Sequence, residues 1–103
     1  MATTLINKSD IIKTLRNNET QLKAFGVHKI GLFGSFVREQ QHAKSDIDLL
    51  VEFDQAKKTF DNFMALSFFL EDLLACSVEI VTPESLSPHI GPHILNEIEY
   101  VTS

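Results

Sequence analysis

The sequence predicts an α+β domain in which short strands alternate with helices. Three observations predict it. Residues 46–53, DIDLLVEF, alternate apolar and polar side chains with period two, as a half-buried strand does. Residues 9–24 and 59–75 repeat apolar side chains at helical spacing. Gly26, Gly34 and Pro83 punctuate the chain between these stretches. At 103 residues, one domain over 1–103 is expected, long enough to bury a core.

The elements follow in order. Ser9-Asp10 offers an N-cap to a first helix over 9–24, with Ile11, Ile12, Leu15, Leu22 and Phe25 on its apolar side and Gly26 as its stop. HKIGLF, residues 28–33, reads as a short strand whose Gly31 lets another group approach the backbone closely. Gly34-Ser35 turns the chain into a short helical segment, and HAKS is a polar loop. In the strand 46–53, Ile47, Leu49, Val51 and Phe53 face one way, and Asp46, Asp48, Leu50 and Glu52 the other. Residues 59–75 form a Phe-rich helix capped by Thr59 or Asp61, its Phe stripe read as core. SVEIVT, residues 77–82, is a third strand ended by Pro83. Pro88 and Pro92 suit the opening turns of a last helix over 88–98, which leads into an extended tail, EYVTS.

Charge and cysteine usage exclude some functions. A net charge of −5 argues against a free-standing nucleic-acid binder, which needs cations to displace the counterions of phosphate. The single cysteine, Cys76, forms no internal disulfide and is expected to be a buried structural thiol in a reducing cytoplasm. No leader pattern opens the chain and no apolar run approaches the length of a membrane span, so a cytoplasmic protein without membrane contact is expected.

The acids of the middle strand need a reason. Asp46 and Asp48 project from one face, about 7 Å apart at the usual strand rise. Two carboxylates that close repel by roughly 2 kcal/mol at an effective dielectric near 20. A hard divalent cation such as Mg²⁺ relieves the repulsion, since it takes oxygen ligands and is commonly shared between carboxylates and substrate phosphates. Glu79, in the middle of the apolar VEIVT strand, could supply a third ligand. Three acids on adjacent strands fit the two-metal logic of phosphoryl and nucleotidyl transfer.

The Gly-Ser pair supplies the complementary half of such a site. Gly34 lets backbone approach a phosphate, Ser35 offers a hydroxyl at a helical start, and Arg38 reaches the same phosphates with a forked guanidinium. Anion donors thus stand opposite metal ligands, as a nucleoside triphosphate carrying magnesium requires.

LFGSFVREQQHAKSDIDLLVEF resembles the signature of the minimal nucleotidyltransferases of the DNA polymerase beta superfamily, and VEIVTPESLSPHIGPHILNEIEYV resembles that family's third strand and closing helix. The resemblance implies a polymerase-beta-type fold, a small mixed β-sheet flanked by helices. It implies that Asp46, Asp48 and Glu79 bind metal, two Mg²⁺ ions in all, and that Gly34, Ser35 and Arg38 hold the phosphates of ATP. It further implies transfer of AMP from ATP onto a tyrosine of a HEPN-domain ribonuclease toxin, which the chain silences as its antitoxin. The chain departs from the family pattern at Glu79, where aspartate is usual, and at Phe36, where a basic or polar residue is frequent.

Two readings stay open beside it. One is an antitoxin that neutralises its HEPN partner by binding alone, with the acids vestigial. The other is nucleotide transfer to a small molecule, which calls for a substrate-binding domain that 103 residues do not accommodate. A homo- or hetero-oligomer fits either of the first two. His89 and His93, four residues apart, read as exposed rather than as a zinc pair, because no carboxylate or cysteine at ligand spacing accompanies them. Lys57 and Lys58 read as a solvated loop, and Asp72, Glu97 and Glu99 as exposed charges.

Overall fold

The structure is a computed structural model; it describes residues 7–37, 46–89 and 91–102, with the side chains of Ser35 and Thr102 outside that description. The first helical stretch is two helices, α1 over Lys8–Asn17 and α2 over Glu19–Ala24. Asn7, not Ser9, caps α1, its side-chain oxygen accepting from the Asp10 N–H at 2.8 Å. Asn18 explains the break. Its backbone N–H donates to the Leu15 carbonyl at 3.1 Å and its side-chain amide to the Thr14 carbonyl at 2.9 Å, which closes one helix before the next begins.

Strand β1 (Val27–Phe33) runs into a single 3₁₀ turn, Gly34–Phe36. Strand β2 spans Ile47–Phe53, helix α3 Phe60–Leu74, strand β3 Val78–Val81 and helix α4 Gly91–Glu97. Thr59 caps α3 by accepting from the Asn62 N–H at 3.2 Å. The expected last helix is shorter than 88–98, and the tail behind it is a fourth strand, β4, over Glu99–Thr102. Its partner is β1, some 70 residues earlier by position, so no local pattern announces the pairing.

The sheet has the order β3-β2-β1-β4. β1 is antiparallel to both β2 and β4, and β2 is parallel to β3, which makes the sheet mixed. One face carries Ile30, Leu32, Ile47, Leu49, Val51 and Val101, and these bury against Ile11, Leu15, Leu22, Leu66, Leu70 and Leu74 from the helices. At about 25 cal/mol per Å² of apolar surface removed from water, such side chains stabilise the fold by roughly 1.5–3 kcal/mol each.

The expectation that the whole Phe stripe of α3 is core is corrected. Leu66, Leu70 and Leu74 hold the sheet-facing side, while Phe60 is 76% and Phe68 63% exposed. With apolar residues at nearly every position, the helix cannot turn all of them toward one sheet.

The opposite face is covered only in part. Phe33, Leu50 and Ile94 bury there, with Val81, Leu86 and Ile98 packed around them. Ile98 and Tyr100 lie in the space above Gly31, the close approach expected at that residue. The Lys29 ammonium sits 4.1 Å from the Tyr100 ring centroid, a cation–π contact that helps hold β4 at the edge. α4 reaches Leu50 through Ile94, and among the described residues the end of this face beyond it, where Glu79 is exposed, stays open.

Candidate active site

The acids lie at that open end. In the β2–β3 ladder Leu50 pairs with Val81 and Asp48 with Glu79. Leu50 and Val81 share the second apolar cluster, so Asp48 and Glu79, two residues earlier on each strand, point to the same side of the sheet. Asp46 immediately precedes β2, two residues before Asp48. Asp48 is half-buried, whereas Asp46 and Glu79 are exposed.

The Gly-Ser turn meets this group from β1. Phe33 pairs with Asp48, which sets Gly34 beside the aspartate. Gly34 has a φ of +82°, a left-handed conformation that other residues adopt at a cost. A Cβ built there would overlap the Asp48 carboxylate and lie 3.2 Å from the Asp48 Cβ. The missing side chain makes room for the acid. On the other side of Gly34, its backbone N–H donates to the Glu97 carboxylate at 2.8 Å. Glu97 closes α4 and was expected to be a solvated charge; it is instead half-buried against the turn.

Phe36 also takes a place the sequence did not announce. It is 2% exposed and belongs to the main core cluster, so the residue after Gly-Ser anchors the turn from below. A neighbouring thiol registers the charge of the site. Burial, and next the charge of Asp46, push the Cys76 thiol pKa up, although the thiol expected to be buried is only partly so.

The structure thus brings Asp48, Glu79 and the backbone of Gly34 to one end of one face, with Asp46 just ahead of β2. Arg38 lies outside the described residues, as does the side chain of Ser35. Among the described residues, no three His, Cys, Asp or Glu side chains converge closely enough to hold an ion together. The donor set nevertheless suits a hard divalent cation. It consists of carboxylates alone, and Asp48 and Glu79 are direct cross-strand neighbours between which a cation would be shared. His89 and His93 are exposed, and Lys58 is bonded to Glu84 across the loops rather than directed at the acids. Among the described residues no helix is long and apolar enough to cross a membrane.

Comparison with known proteins agrees with this geometry. The family model for the nucleotidyltransferase domain matches residues 11–101. The chain is 36% identical over 101 residues to the protein adenylyltransferase MntA of Thermococcus cleftensis, covering 98% of this chain and 100% of that one. A solved structure assigned to a minimal nucleotidyltransferase superposes with a TM-score of 0.75 at 28% identity, over 94% of this chain and 98% of its own. A toxin–antitoxin complex solved with AMP-PNP matches with a TM-score of 0.59 at 27% identity, over 93% of this chain and 73% of the matched one. These matches show that the chain belongs to the nucleotidyltransferase domain family, as one of its minimal nucleotidyltransferases.

Proposed function

We propose that this nucleotidyltransferase moves AMP from ATP to a tyrosine of a cognate HEPN ribonuclease toxin and so acts as its antitoxin. One observation carries the reading: Asp48 stands in register with Glu79 on the open face while its carboxylate rests against the Gly-Ser turn. Acids able to ligate a metal and the Gly-Ser turn are thereby adjacent, which supports a triphosphate substrate. The name of the Thermococcus relative supports a protein as acceptor, and the AMP-PNP complex supports ATP as donor.

Asp46, Asp48 and Glu79 would hold Mg²⁺, which when bound supplies charge neutralisation for the phosphates and the leaving pyrophosphate. The chain's own groups do the rest. The Gly-Ser turn, with Arg38 further along, orients the triphosphate. The acceptor phenol oxygen bonds to the α-phosphorus as the bond to pyrophosphate breaks, and the phenol proton is released. Asp46 and Glu79, the two exposed acids, are open to receive that proton, whereas Asp48 is held against Gly34.

A second reading, neutralisation of the HEPN partner by contact alone, is favoured by one observation, that three acids do not converge among the described residues. Parallel incubations with ATP labelled at the α- or the γ-phosphate, Mg²⁺ and the HEPN protein encoded beside this chain separate the two. Label from the α-position alone on the partner supports AMP transfer. Silencing of the partner with neither label attached supports contact alone.

A further inference from the structure

We propose that Glu97 is a positioning residue for nucleotidyl transfer, acting on Asp48 through the peptide of Gly34. The inference rests on the proposed reaction for its catalytic consequence and on geometry alone for its mechanism.

Three residues stand in series. The Glu97 carboxylate accepts from the Gly34 N–H at 2.8 Å, and the Asp48 carboxylate fills the space directly over the Gly34 Cα. Gly34 therefore touches an acid on each side. Its positive φ is a conformation a glycine leaves readily, since it populates both signs of φ with little difference in energy. Something must select one. The charge-assisted bond from Glu97 does so, because such bonds are about twice as strong as neutral ones. Were the Gly34 peptide to rotate, the ledge beneath the Asp48 carboxylate would move with it.

The same carboxylate could instead act as a plug that a phosphate displaces. The burial of Gly34 argues against this. A buried N–H needs a permanent partner, and an incoming phosphate could not replace Glu97 without opening the packing between α4 and β1. A negative group so near a triphosphate site is electrostatically adverse, which makes a geometric role the reason for it to be there. The long-range character of the bond also gives α4 a purpose: the helix carries Ile94 into the apolar cluster and Glu97 to the turn, one turn apart on one side.

The test uses Glu97→Met, which keeps length and packing but offers no oxygen acceptor, beside Glu97→Gln, whose amide oxygen still accepts. Glu99→Gln, which removes the neighbouring carboxylate bonded to Lys8, controls for charge. Hydrogen exchange of the Gly34 amide and the ¹³Cγ resonance of Asp48 report the geometry without any substrate or metal. We expect Gly34 exchange to rise at least about tenfold and the Asp48 resonance to shift or broaden in Glu97→Met, with Glu97→Gln and Glu99→Gln close to the native protein. In nucleotide transfer, kcat of Glu97→Met falls roughly ten- to a hundredfold, the scale of a small misplacement, with KM for ATP changed less than kcat, and Glu97→Gln restores most of it.

Native exchange and an unmoved Asp48 resonance in Glu97→Met would overturn the proposal. So would tighter ATP binding in that variant, the mark of a plug. Absence of transfer by the native protein would remove the proposed function while leaving the two resonance measurements to decide the role of Glu97.

Discussion

The carboxylate of Asp48 occupies the space that a side chain on Gly34 would fill. This contact joins the Gly-Ser turn to the acid strand and makes the glycine a requirement of the acid as much as of the nucleotide. Gly34→Ala should therefore cost more than its positive φ alone, about 1–3 kcal/mol for the backbone with the clash added. Thermal melting would record the loss. Adding Asp48→Gly should return part of it, because the two residues are in contact and their effects do not sum. Equal melting losses in the single and the double variant would remove the contact from the account.

Asp48 and Glu79 are in register across parallel strands, where like charges repel. Glu79→Gln is expected to stabilise the metal-free protein by roughly 0.2–1 kcal/mol while lowering transfer. Mg²⁺ should raise the melting temperature of the native protein and raise that of Glu79→Gln less. Identical responses to Mg²⁺ and to its removal by chelator would place Glu79 outside the ion's reach.

Helix α3 offers a contrast between its two sides. Leu70 is fully buried and Phe68 is 63% exposed. Leu70→Ala should destabilise by about 2–5 kcal/mol, the range for emptying a buried leucine site. Phe68→Ala should change stability by no more than about 0.5 kcal/mol, as surface substitutions usually do. Urea unfolding midpoints with unchanged slopes give both values.

Cys76 reports the charge of the acid site. Burial first, and the Asp46 carboxylate next, hold its thiol pKa above the ordinary value. Alkylation by iodoacetamide should thus rise with pH through a midpoint above about 8.5, the unperturbed value, and Asp46→Asn should bring that midpoint down. The linked stability has a definite sign. With the folded pKa raised, it is fully present below the unfolded pKa and lost as pH climbs through the folded one.

The candidate residues of this site were legible because they break local rules. Asp46, Asp48 and Glu79 stand out as acids in apolar strands, and Gly34-Ser35 as a turn ahead of them. The structure sets Asp48, Glu79 and Gly34 at one end of one sheet face. The helix boundary at Asn18 was legible in hindsight, since a lone Asn can close one helix and open the next, but periodicity alone runs through it. Glu97 and β4 were not legible. Their partners, Gly34 and β1, are distant in sequence, and a glutamate ending a helix looks like any solvated charge. Phe36 departs from the family pattern, and its place in the main core cluster was not legible from that comparison.

The most direct measurement is the intact mass of the cognate HEPN protein after incubation with this chain, ATP and Mg²⁺, beside the Asp46→Ala/Asp48→Ala double variant. The account predicts a gain of one or more AMP units on a tyrosine with the native chain and none with the variant, although both chains remain folded. An unchanged partner mass with the native chain, or the same gain with both chains, would contradict it.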